Sequence, residues 1–124
     1  MKKIALLLSH KLTNDQVDGV WNVLKCKKTI KMTENLQKRF GMVEIGTREQ
    51  LENELKNFLK NNLNAKDYVL IQGEYGITYS IVKFCKEHDF VPVYSVSKRV
   101  SSEIEKDGVI EKVSYFKHEG FIEY

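Results

Sequence analysis

The sequence predicts an α/β domain: a mostly parallel sheet flanked by helices, with a carboxyl-terminal β-hairpin. Three observations predict it. Short continuous apolar runs, expected of strands covered on both faces, recur at Ile4–Leu8, Tyr68–Ile71 and Val91–Val96. Amphipathic stretches with helical spacing separate them. Asp107-Gly108 then stands between two alternating stretches, the strongest short-range signal for a hairpin.

Each element has its own signal. Ile4-Ala5-Leu6-Leu7-Leu8 follows two lysines and mimics a signal peptide, but the run is too short and Ser-His-Lys follows it, so it reads as a first core strand. Thr13 with Gln16 three residues later forms a capping-box pattern, and Val17, Val20, Trp21 and Leu24 make residues 14–25 an amphipathic helix. Lysine-rich Lys27–Lys31 suits an edge strand. Thr33, Gln37 and Phe40 suggest a helical turn or two ending at Gly41. Thr47 with Gln50 predicts a second capping box, opening a helix striped by Leu51, Leu55, Phe58 and Leu59. The second strand, Tyr68–Ile71, is followed by a helix marked by Ile77, Ile81, Phe84, Cys85 and His88. In the third strand Pro92 falls near the start, where it is tolerated. The hairpin is expected from about residue 100 to 116, extending or capping the sheet.

At 124 residues the chain reads as one domain, 1–124, with room for a core but not for a sensor joined to an effector. Apolar content of 42% and charged content of 30% exclude a disordered chain. Cys26, at a helix end, and Cys85, in a helix, match no zinc or redox spacing, so they read as idle thiols of a cytoplasmic protein. No membrane partner is expected. Residues 1–40 hold nine Lys/Arg against Asp15, Asp18 and Glu34, a surplus of +6, and the remainder carries −3. That asymmetry suits an anionic partner, though a solvated lysine face would look the same.

Ligands of open parallel sheets bind beyond the carboxyl ends of the strands. Those ends carry Ser9-His10-Lys11, Gln72-Gly73-Glu74-Tyr75-Gly76 and Ser95-Val96-Ser97-Lys98-Arg99. Gly73 and Gly76 would let backbone N–H groups approach an anion at the start of the next helix, with Thr78 offering a hydroxyl. The same glycines serve equally in a sharp turn, and Glu74 between them would repel a phosphate. Lys98 and Arg99 add positive charge, arginine as a bidentate fork. His10 is placed to move a proton, His88 to sit at a helix C-terminus, and His118 to fold back on the sheet edge. No histidine pair has metal-ligand spacing, and neither a metal nor an organic cofactor is expected.

"LLLSHKLT", "DYVLIQGEYGITYSIV", "PVYSVSKR" and "FKHEGFIEY", in that order, resemble the CRISPR-associated Csx-twenty family of type III systems. The resemblance implies a Rossmann-like fold similar to CRISPR-associated Rossmann-fold (CARF) domains. It also implies a ring nuclease that binds and linearises cyclic oligoadenylate, cyclic tetra-adenylate foremost, so switching off antiviral signalling. Opening the ring by its own ribose 2′-hydroxyl needs in-line geometry and cationic donors rather than a metal. Lys98 and Arg99 would then stabilise charge, Ser97 donate a hydroxyl and His10 move the proton. Ser9, Gln72, Gly73, Tyr75, Gly76, Thr78 and Ser95 would line the pocket, with Lys117 and His118 beside them. A homodimer with the ring across its twofold axis is expected, with no DNA or long RNA partner. The alternative is a protein that binds cyclic oligoadenylate without cutting it, as a sponge or regulator.

Overall fold

The computed structural model describes residues 2–124. Five strands form one sheet in the order β2-β1-β3-β4-β5. β1 (Lys2–Leu7), β2 (Cys26–Lys31), β3 (Tyr68–Ile71) and the start of β4 (Val91–Lys106) run parallel, and β5 (Val109–Glu123) is antiparallel to β4. The chain thus has the predicted fold class. The lysine-rich strand lies at the edge, as expected.

Helix α1 (Asn14–Asn22) carries both bonds of the predicted capping box. It ends three residues short of the predicted boundary because Lys25 takes a left-handed turn (φ 59°) to deliver Cys26 to β2 rather than to a helix end. α2 spans Glu34–Gly41, and α3 Arg48–Asn62 after a short 3-10 turn at Ile45–Thr47. Here the second capping box fails. Thr47 closes that turn with φ −119° and ψ 8°, away from the extended backbone a capping hydroxyl requires, and its side chain caps nothing. α4 (Tyr75–Glu87) begins two residues before Ile77.

The largest departure is at the carboxyl terminus. The third strand and the expected hairpin are one ribbon, paired from Val93↔Glu123 to Lys106↔Val109, because no breaker lies between Val96 and Val100. Asp107 (φ 54°) and Gly108 (φ 80°) turn it as predicted.

The two faces are covered unequally. α2, α3 and α4 pack Leu36, Phe40, Leu51, Leu55, Leu59, Ile77 and Ile81 against Ala5, Leu7, Val69 and Ile71. The other face, built on Ile4, Leu8, Leu70 and Val93, receives α1 alone through Val20. The sheet's switch point falls between β1 and β3, where the connection to β2 leaves on the α1 face and the next returns on the other, so the crevice rule directs attention to residues 8–10 and 72. Cys26 and Cys85 are free and buried; burial, largest among the causes, pushes their thiols up to about 11 and about 12, leaving them protonated.

Candidate functional site

Strand side chains alternate between faces, and this sorts the residues at the strand ends. On β1, Ala5 and Leu7 face the three-helix side, and Ser9 follows them to lie against Gly41 of α2. Leu8 and His10 turn toward α1. On β3, Gln72 continues the α1 face of Leu70 while Gly73 lies under the Phe40 ring. On β4, Ser95, Ser97 and Arg99 share the face of Val93, and Lys98 takes the opposite one beside its cross-strand partner Lys117.

The strand ends therefore meet, but the sheet divides them. On the α1 side a cleft of about 260 Å³ is lined by His10, Thr13, Asp15, Gln16, Gln72, Ser95, Ser97, Phe116 and His118. On the α4 side Gly73, Thr78 and four tyrosines, Tyr75, Tyr79, Tyr94 and Tyr124, form a second groove of about 460 Å³ that shares Gln72 with the cleft. Tyr75 is 93% exposed there, and the buried Thr78 Oγ1 has no hydrogen-bond partner. Lys98 and Lys117 line neither cavity. The single cationic cup suggested by the linear sequence is two sites of different chemistry.

The glycine turn does not form an anion cradle. Glu74 caps α4, its carboxylate accepting from Gly76 N–H and, at 3.3 Å, from Ile77 N–H. The positive helix end is already neutralised by the chain's own acid. Neither Gly73 nor Gly76 has a positive φ.

The cleft is organised by a hydrogen-bond network around the buried side chains of Gln16 and Ser95. The amide of Gln16, 6% exposed, accepts from Thr13 N–H at 2.9 Å, which directs its NH₂ to Ser95 Oγ at 3.2 Å. Ser95 Oγ accepts from Gln16 and shares a 2.6 Å hydrogen bond with His118 Nδ1. His118 Nε2 packs beside Gly19, with the ring against Phe121. Gln72 closes the set, its amide pairing with Ser95 N–H at 2.9 Å and Ser95 C=O at 3.3 Å. His10 is different. Its Nδ1 can only donate to the Lys11 carbonyl, at 2.9 Å, so Nε2 of the exposed ring is the nitrogen left to face a ligand.

Gln16 was legible only as a cap, because its second partner lies 79 residues away. His118 reaches this face through a bulge: Val96 pairs with Gly120 and Ser97 with His118, leaving Glu119 as the extra residue.

Burial holds His118 below the ordinary imidazole value, and the Asp15 carboxylate opposes this. The unfolded chain then binds the proton more readily than the native one, so stability rises with pH across that interval and falls as pH drops below about 6.5. Urea midpoints at pH 7.5 and 5.5 should show the loss. His118→Asn, whose carbonyl oxygen can still accept from Ser95, should reduce it; an unchanged pH dependence would remove His118 as its source.

Among the described residues no three His, Cys, Asp or Glu side chains gather to hold a metal ion. Nor is any described helix long and apolar enough to cross a membrane.

The family model described as "Uncharacterized protein MJ1673 family" matches residues 2–122. The chain belongs to that family. It is 36% identical over 126 residues to Uncharacterized protein MJ1673 of Methanocaldococcus jannaschii, covering all of this chain and 98% of the relative. No solved structure matches the chain. The match to this MJ1673 family relative spans all of the chain, so the α1-face cleft lies wholly within the aligned length.

Proposed function

We propose that this member of the MJ1673 family is a ring nuclease that binds and linearises cyclic oligoadenylate, cyclic tetra-adenylate foremost, by attack of the ribose 2′-hydroxyl. The resemblance of the strand-end segments to Csx-twenty proteins suggests the substrate. The observation that carries the reading is the cleft itself. His10, its Nδ1 held by the Lys11 carbonyl, presents Nε2 at its mouth, with Ser97 on the same wall and Arg99 two residues along that face.

The division of labour follows from these groups. His10 Nε2 takes the 2′-hydroxyl proton, the 2′-oxygen attacks phosphorus, and the 5′-oxygen leaves, taking a proton from water. The products are a 2′,3′-cyclic phosphate and a 5′-hydroxyl. Ser97 and Arg99 offset the charge building on the non-bridging oxygens. His118 acts as a positioning residue: its Nδ1 is taken by Ser95 and its Nε2 faces α1.

A cleft of about 260 Å³ holds one phosphoester and its ribose, not a ring of four nucleotides. Two copies of the chain across a twofold axis would supply the rest. The ribbon supports such a partner, since two strands alone are marginally stable and Ile104, Val109 and Ile110 are exposed on it. Capture without cleavage is the rival outcome.

The test is turnover of excess cyclic tri-, tetra- and hexa-adenylate by the intact protein, with and without EDTA. Linear products exceeding the protein many times over, insensitive to EDTA, are expected with the tetramer. Binding with no linear product would assign the protein as a sponge, and no binding of any ring would overturn the reading.

A further inference from the structure

Because α1 alone covers its face of the sheet, space remains beside it. A cavity of about 470 Å³ lies between α1 and the strands β1 and β2, within the usual range of small-ligand pockets. Leu6, Leu8, Val20 and Met32 line it with apolar surface, and Trp21, exposed to 39%, forms part of the wall. Its other lining residues include His10, Lys11 and Lys31, three basic side chains against the single acid Glu34. His10 also lines the polar cleft. Two adjoining cavities therefore share one side chain, one of them apolar with an aromatic wall and the other polar. A flat apolar group joined to an anionic sugar phosphate has the complementary layout.

We infer that this cavity is a nucleobase subsite, in which a purine stacks on Trp21 while its phosphate is held by Lys11 and Lys31 of the same lining. The inference rests on the nucleotide reading of the cleft, but it does not require that a ring be cut. A base anchored here would fix the adjoining ribose beside His10, converting affinity into orientation of the 2′-oxygen.

Trp21 is the chain's one tryptophan, so its fluorescence reports this cavity without a label. Titrating the intact protein with adenosine 5′-monophosphate should quench it saturably, and ribose 5-phosphate should not. Val17, a partly exposed lining residue, offers a block: Val17→Phe should abolish the quenching while leaving the thermal midpoint near wild type. Lys31→Ala should weaken the monophosphate about fivefold, the scale of one exposed ion pair, and leave adenosine unchanged. No quenching at millimolar nucleotide, equal quenching by ribose 5-phosphate, or full quenching in Val17→Phe would overturn the inference. The two readings fail separately. Quenching by the monophosphate without ring cleavage keeps the base site and removes the nuclease, whereas cleavage with Trp21 unperturbed does the reverse.

Discussion

Replacing Arg99 by alanine is expected to slow ring opening at saturating cyclic tetra-adenylate by on the order of a hundredfold, the usual scale for losing a charge-stabilising donor. Lys98→Ala is expected to cost much less and to act on binding. The sequence alone treats the two as equals. The strand does not, because successive side chains leave opposite faces, and Arg99 shares a face with Ser97 while Lys98 stands beside Lys117. Arg99 is also free to move: its one side-chain hydrogen bond, 3.3 Å to Ser114 Oγ, is long and exposed. Arg99→Lys should recover part of the rate, keeping the charge but not the fork. Single-turnover rates at saturating ring separate the two effects. A larger loss of rate in Lys98→Ala than in Arg99→Ala would place the chemistry on the other side of the sheet.

Gly73→Ala is expected to destabilise the fold by about 1–3 kcal/mol, the range for forcing an extra carbon into a packed core. A Cβ there would lie 2.5 Å from Phe40 Cζ and 2.9 Å from Cε1. The ring has nowhere to go, since Phe40 is 2% exposed and belongs to the core formed with Leu36 and Leu51. A companion Phe40→Leu change should recover part of the loss, because it removes the atoms that collide; denaturant midpoints of the two single variants and the double variant give the coupling. A glycine kept for backbone approach to a ligand would behave otherwise: binding would fall and stability would hold. That result would return Gly73 to the site.

These two cases show how far linear reading reached. Buried strands, the Thr13–Gln16 capping box and the Asp107-Gly108 turn were legible because each depends on residues within a few positions of one another. The failed cap at Thr47 was not, because the preceding Ile45–Thr47 turn decides its backbone angles. Gly73 and Gly76 looked like a phosphate cradle because glycine marks close approach without naming what approaches. Phe40 and the Glu74 carboxylate are the answers, and the first comes from a helix more than thirty residues away.

By itself the sequence determined the fold class and the strand ends at which polar side chains gather. The tertiary structure alone decided which of those side chains meet. Glu119 bulges out of β5 and turns His118 onto the face of Ser95, and Gln16 reaches across from α1 to join them. Local patterns are set by short-range sterics and burial, whereas a site depends on register between distant segments. One extra residue in a strand reverses every side chain beyond it.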